Sequence, residues 1–375
     1  MKKILICPNA FKGTLKSDEV AECIEIGLSQ NSSNLEIFRL PIADGGDGSL
    51  PILSRYFDAE LVHFQSVDAL GSSVDAHYGW SEKLKIGIVE LAEASGIRHI
   101  NSNDLNVWNA TTYGTGLILK EIMSKNPSEI YLAVGGSASI DGAIGILSAL
   151  GVKFFNSQNE EIQRPKPSDM FHFENINAQE TKFFFRNIQL KILCDVENPL
   201  LGENGCASVF GPQKGATAQD IIDLEKSMKH FNEIVRKSLG KDVSAIKHGG
   251  AAGGVAAFLH GIMDAELADG AAAILQISGF NEFVGVADIV ITGEGKIDNQ
   301  TLFGKGPGLV AKQAKNLGKF VVGFCGVSEI DSACENPFDK IIEINKPHQS
   351  LLTALSETKN NLIEAAQLFG KDLKV

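Results

Sequence analysis

Several features that mark specialised proteins are scarce or missing in this chain. Its 375 residues hold six cysteines, Cys7, Cys23, Cys194, Cys206, Cys325 and Cys334, and no two have C-x-x-C spacing. That excludes a disulfide scaffold and a zinc ribbon; scattered thiols suit buried apolar positions in a reducing cytoplasm. No run of about 18 apolar residues occurs, so no membrane span is expected. The first apolar run, Ile4-Leu5-Ile6-Cys7, is too short for a signal peptide and stops at Pro8-Asn9. Positive charge is also in deficit: Lys and Arg number 34 against 46 Asp and Glu, a net charge of −12. A nucleic-acid partner, which needs a basic surface, is therefore not expected. An anionic small molecule is not excluded, because a few lysines can dominate a cleft. There is no G-x-G-x-x-G dinucleotide fingerprint, no Walker A loop and no G-x-S-x-G elbow.

Glycine, by contrast, is plentiful. It contributes 38 residues, about a tenth of the chain against a usual share of about 7%. The glycines cluster directly after short apolar runs, where backbone turns tightly or approaches a ligand. Apolar run, Gly/Ser/Asp-rich turn and helical period follow one another repeatedly, the pattern of an α/β protein with parallel strands. Strands are expected at 3–7, 35–40, 86–91, 130–134, 190–194, 289–291, 320–325 and 340–344. After the first, Ser17 is placed as a helix N-cap, and Val20, Ala21, Ile24 and Leu28 recur at helical spacing. The stretch from 156 to 187, with Pro165, Pro167 and aromatic pairs, reads as an elaboration outside the βα rhythm. The length calls for two domains.

In open α/β sheets, ligands bind beyond the carboxyl ends of the strands. Five strand-end segments carry chemistry-bearing residues there. Asn9–Thr14 has a single cation, Lys12. Asp44-Gly45-Gly46-Asp47-Gly48 sets three glycines among two carboxylates, suited to a backbone cradle with Asp placed for Mg²⁺ or a substrate hydroxyl. Gly135-Gly136-Ser137 follows a strand and leads through Asp141-Gly142 into an expected helix at 143–150, the layout of a phosphate site at a helix N-terminus. Thr111–Gly116, with Thr115, reads in the same way. Asp195, in Cys194-Asp195-Val196-Glu197-Asn198-Pro199, stands where a strand end aims a carboxylate into a cleft; Lys214 follows on a Gly/Pro-constrained loop. Gly293-Glu294-Gly295-Lys296-Ile297-Asp298 places two carboxylates and a lysine together, as metal ligands or as a surface ion pair. Backbone donors, single cations and carboxylates suit phosphoryl transfer, which needs them more than a strong nucleophile.

Taken in order, Pro-Asn-Ala-Phe-Lys-Gly (8–13), Asp-Gly-Gly-Asp-Gly (44–48), Thr-Tyr-Gly-Thr-Gly (112–116), Gly-Gly-Ser-Ala-Ser-Ile-Asp-Gly (135–142), Cys-Asp-Val-Glu-Asn-Pro-Leu (194–200), Phe-Gly-Pro-Gln-Lys-Gly-Ala (210–216) and Thr-Gly-Glu-Gly-Lys-Ile-Asp (292–298) resemble the bacterial type I glycerate kinases. The resemblance implies transfer of the γ-phosphoryl group of ATP to D-glycerate, with Mg²⁺ as cofactor and 2-phosphoglycerate as product. The 3-phosphate product, or a lyase or isomerase acting on a phosphorylated hydroxy acid, is the alternative. The resemblance implies two α/β domains with the active site in the cleft between them. One is flavodoxin-like with a parallel sheet, made of 1–70 and 285–375; the other spans 71–284. Asp195 is then the base that orients or deprotonates the acceptor hydroxyl, and Lys12 works beside it. Asp44, Gly45, Gly46, Asp47, Asn198 and Lys214 are placed on the substrate, and Thr115, Gly135, Gly136, Ser137 and Gly293 on ATP. Glu294 and Asp298 are placed on the metal. Glycerate and ATP are the expected partners, with no nucleic acid or membrane, in the cytoplasm; assembly into a homo-oligomer stays open.

Overall fold

The computed structural model describes residues 1–30, 34–302, 305–331, 334–346 and 348–373. It divides into two compact units, Met1–Asp44 with Ala271–Val375, and Gly45–Gly270.

In the first unit, a sheet of five parallel strands runs in the order Lys340–Glu343, Phe320–Glu329, Ile289–Asp298, Lys2–Pro8, Leu35–Arg39. Numbered along the chain this is 2-1-3-4-5, the flavodoxin-like order, with its switch point between the strands at Lys2–Pro8 and Ile289–Asp298. Ile4, Leu5, Ile6 and Cys7 are all fully buried, so both faces of this inner strand are covered. The helix Ser17–Ser29 buries Val20, Ala21, Ile24 and Leu28, the spacing read from the sequence. It lies against the helix Leu351–Asp372 so closely that a Cβ on Gly27 would stand 2.4 Å from the Ile363 carbonyl oxygen. Ser17 is not the cap. Lys16 takes that position, its N–H donating to Glu19 at 2.7 Å, while the Ser17 hydroxyl donates to the Ile42 carbonyl.

The second unit holds a mixed sheet of six strands in the order Glu266–Asp269, Gln189–Cys194, Glu129–Ala133, Ile86–Glu90, Ser73–Ser81, Glu60–Val67. The first four are parallel and the last two antiparallel. Residues 45–70, expected with the first unit, lie here because Glu60–Val67 pairs along its whole length with Ser73–Ser81. The elaboration after residue 150 contains a short antiparallel pair, Lys153–Phe155 with Asn175–Asn177, and a helix at Gln179–Phe185. Of its aromatics, Phe173 and Phe185 are buried in the core, Phe173 stacking on Phe154, whereas Phe171, Phe183 and Phe184 are exposed. Among the described residues, no helix is long and apolar enough to cross a membrane.

Candidate active site

In the second unit the strand ends at Ala133 and Cys194 lie side by side, since Glu129–Ala133 pairs in parallel with Gln189–Leu193. The loops that leave them therefore meet. Gly135, Gly136 and Ser137 from the first loop, Asp195 and Val196 from the second, and Phe210, Gln213 and Lys214 from a later turn line one cavity of about 240 Å³. Gly135 is there for want of space, and Gly136 for its left-handed backbone at φ +75°. A Cβ on Gly135 would stand 2.4 Å from Gly46 Cα and 2.9 Å from Asp195 Oδ2. The loop is strapped on both sides: Gly135 N–H donates to the Gly45 carbonyl at 3.2 Å, Ile97 N–H to the Gly136 carbonyl at 2.9 Å, and Ala138 N–H to the Ser95 carbonyl at 3.0 Å.

Lys214 is the unusual group in this cavity. It is only 2% exposed, and its ammonium donates to Ser137 Oγ and to the Ser139 carbonyl, each at 2.7 Å. Among the described residues no carboxylate stands within ion-pair distance of it. Burial pushes its pKa down to about 8, against the opposing fields of Cys206, Asp141 and Asp195. Asp195 is exposed to solvent at the cavity wall.

The helix that follows Gly142 does not offer its N-terminus to a phosphate, as the sequence suggested. It is short, Ile144–Ala149, and Asp141 already fills its end. Fully buried, Asp141 accepts from Gly145 N–H, from the N–H and hydroxyl of Thr112, and from the Ser139 hydroxyl. Burial raises its carboxyl above the usual range, and these donors hold it back. The Gly135–Ser137 loop and Lys214, not this helix end, line the cavity.

Other expected residues lie elsewhere in the unit. Thr115 is buried, its hydroxyl bonded to Ser95 Oγ and the Leu91 carbonyl. The glycines beside it serve packing, since a Cβ on Gly114 would stand 1.9 Å from the Val67 carbonyl oxygen. The Asn198 side chain donates to the Asn204 carbonyl and ties its own loop. Asp47 is exposed and paired with Arg98, which also holds Glu93 at 2.5 Å. Glu90 and Arg98 are residues the sequence reading passed over. The one signal for Glu90 was a carboxylate inside the apolar run from Ile86 to Leu91.

In the first unit, a second group forms at the flavodoxin-like switch point. Asn9 follows the strand Lys2–Pro8, and its side-chain amide donates to Asp44 at 3.5 Å. Glu294 accepts from the Thr301 hydroxyl at 2.7 Å. Burial raises the Glu294 carboxyl; Thr301 and the Lys305 charge lower it, Asp44 raises it, and Lys12 lowers it. Asp44, Lys12 and Lys305 are therefore all within electrostatic reach of Glu294. Asp298 is engaged differently, its Oδ1 accepting from the Gln300 and Thr301 amides as a cap on Asn299–Leu302. Lys296 pairs with Glu329, not with Glu294 or Asp298. Gly293 lacks a side chain for strand packing, because a Cβ would stand 2.1 Å from the Phe324 carbonyl oxygen. Among the described residues no group of three or more His, Cys, Asp or Glu is arranged to hold a metal ion.

Comparison with known proteins gives one family. A model of the glycerate kinase family matches residues 4–374. A glycerate kinase of Halalkalibacterium halodurans is 35% identical over 369 residues, covering 98% of this chain and 97% of its own. The glycerate 2-kinase of Escherichia coli K12 is 30% identical over 375 residues, covering 100% and 98%. The crystal structure of a protein provisionally named glycerate kinase 2, from Salmonella typhimurium LT2, matches with a TM-score of 0.87 at 31% identity, covering 99% of this chain and 98% of that one.

Proposed function

Since the chain belongs to the glycerate kinase family, we propose that the cavity between Asp195 and Lys214 is where glycerate receives the phosphoryl group. The family makes the protein an ATP-dependent kinase acting on a hydroxyl of glycerate. The observation that carries the site is Lys214, a buried ammonium with two neutral acceptors and no carboxylate at ion-pair distance among the described residues. A buried charge left in that state is costly, and an incoming anion removes the cost.

The carboxylate of D-glycerate is that anion. The 2-hydroxyl sits on the carbon next to the carboxylate, so a group close to Lys214 addresses it before the 3-hydroxyl. Asp195 is that group, within electrostatic reach of Lys214 and on the wall of the same cavity. It accepts the hydroxyl proton as the oxygen attacks the γ-phosphorus; the bond to ADP breaks, and 2-phosphoglycerate results. The backbone of Gly136 and Ser137, which line the same cavity, supports the transferring phosphoryl group.

Mg²⁺, when bound, would supply positive charge that offsets the phosphates' own. It takes oxygen donors, commonly one or two carboxylates together with phosphates and waters. Asp44 and Glu294 fit that chemistry: two neighbouring carboxylates, one of them raised by burial and by the charge of the other. Lys12, near them, is suited to a phosphate as a point charge. Free cysteines, five of them buried, accord with a cytoplasmic enzyme.

The test is ATP- and Mg²⁺-dependent consumption of D-glycerate by the purified protein, with the product identified by phosphorus NMR. Formation of 3-phosphoglycerate overturns the geometry at Lys214 and Asp195. Absence of turnover by folded protein overturns the reading altogether.

A further inference from the structure

Glu90 is the last residue of the strand Ile86–Glu90, and it is 2% exposed. It does not line the cavity. Its Oε2 accepts the N–H of Gly48 at 3.0 Å and of Leu50 at 3.1 Å, the amides at the start of the helix Ser49–Tyr56. Its Oε1 lies 3.5 Å from Arg98 Nη1, which also bonds Asp47. One carboxyl thus holds the far end of the loop 45–48 from behind. The near end of that loop backs the cavity wall at Gly135, which does line it: Gly45 accepts from Gly135 N–H, and Gly46 Cα packs where a Gly135 side chain would be, beside Asp195 Oδ2.

We propose that Glu90 is a positioning residue for phosphoryl transfer, fixing the 45–48 loop against Gly135 so that Asp195 meets the acceptor hydroxyl at the right distance. The inference rests on the reading of the Asp195–Lys214 cavity as the glycerate site. What the loop needs from Glu90 is an acceptor oxygen at a particular reach, not a negative charge. Burial, then the hydrogen bond and charge of Asp47, push the Glu90 carboxyl well above its ordinary range, although the Leu50 amide and Arg98 pull it down. A glutamine keeps the oxygen and the length; an aspartate keeps the charge but falls one methylene short.

The experiment compares Glu90→Gln, Glu90→Asp and Glu90→Ala in the full-length enzyme, with glycerate and ATP–Mg²⁺ varied separately. A displacement of about 1 Å at a reacting group costs about 100-fold in rate. Glu90→Ala and Glu90→Asp are therefore expected to lose about 30- to 100-fold in kcat with a raised KM for glycerate. The KM for ATP should stay within about twofold, and Glu90→Gln within about threefold of the parent on every constant. A merely structural role would lower the melting temperature without that split. Glu90→Gln as impaired as Glu90→Ala, or Glu90→Asp within about threefold of the parent, overturns the proposal. Hydrogen exchange at the Gly48 and Leu50 amides is read in parallel, slow in the parent and Glu90→Gln and fast in Glu90→Asp. Unchanged exchange in Glu90→Asp also overturns it. That readout needs no turnover, so failure of the glycerate reading, seen as an inactive parent, is told apart from failure of Glu90 to hold the loop.

Discussion

The ammonium of Lys214 donates to the hydroxyl of Ser137 at 2.7 Å, across 77 residues of chain. The two reach each other because parallel pairing of Glu129–Ala133 with Gln189–Leu193 brings their exit loops to one end of the sheet. Ser137 offers this cation a neutral oxygen, so its charge remains available to a ligand, and its pKa remains low.

Lys214 predicts two opposite pH effects. Glycerate binding needs the ammonium, so KM for glycerate should rise about tenfold per pH unit above about 8 in initial-rate assays. Stability should move the other way. Between about 8 and the ordinary lysine value the unfolded chain binds more protons than the folded one, so stability rises with pH across that window. Below it the penalty is complete, about 3 kcal/mol from the shift to about 8. Lys214→Met should therefore abolish glycerate binding. Its stability relative to the parent should be most favourable near pH 7 and decline by pH 10, as followed by chemical denaturation.

Asp195→Asn should keep the fold and lower kcat by about 100- to 10,000-fold, the usual worth of a general base. A coupled ADP-release assay with a circular dichroism control checks this. Near-normal kcat would remove Asp195 from the role.

Gly135→Ala should be almost as harmful with no change of chemistry. Its methyl would meet Gly46 Cα, which is backbone and cannot swing aside, and Asp195 Oδ2. We expect about 1–3 kcal/mol of destabilisation and a fall in kcat that no increase in glycerate restores.

For the metal, Asp44→Asn and Glu294→Gln should each raise the Mg²⁺ concentration for half-maximal rate by about tenfold or more, as expected when a hard cation loses a carboxylate. Asp298→Asn should leave that titration unmoved, because an asparagine oxygen can still cap the Gln300 and Thr301 amides. A shifted midpoint in Asp298→Asn would return that residue to the metal site.

Much of the scaffold was legible. The eight expected strands are present: the inner ones are short runs buried on both faces, which leaves a plain apolar signal, and the edge strands Leu35–Arg39 and Lys340–Glu343, only partly buried, still carry short apolar runs. Glu60–Val67 and Ser73–Ser81 were missed for the opposite reason. As antiparallel strands they alternate, with His63, Gln65, Asp75 and His77 facing outward, and a polar residue at every second place hides a strand among loop residues. At the site, strand ends pointed to Asp195, Ser137 and Lys214. They did not separate Gly135, a wall of the cavity, from Gly114 and Gly293, which let backbones pack. That distinction depends on which chain passes opposite, and sequence neighbours do not carry it. Glu90 was invisible because its partners, Gly48 and Leu50, lie 42 and 40 residues upstream. At Asp298 the sequence does not separate a metal ligand from a helix cap, because both are the same letter; its Oδ1 takes the Gln300 and Thr301 amides.

The flavodoxin-like order has a consequence for synthesis. An inner strand of that sheet, Lys2–Pro8, is made long before one of its two neighbours, Ile289–Asp298. The intervening Gly45–Gly270 unit is continuous and can complete its own sheet while the rest is still being made. Until about residue 300 emerges, the buried strand Lys2–Pro8 has one edge unpaired, and closing so long a loop is slow. Newly made chains are thus open to aggregation through Lys2–Pro8 until Ile289–Asp298 is made, and the Gly45–Gly270 unit can be mature before the sheet on either side of it is complete.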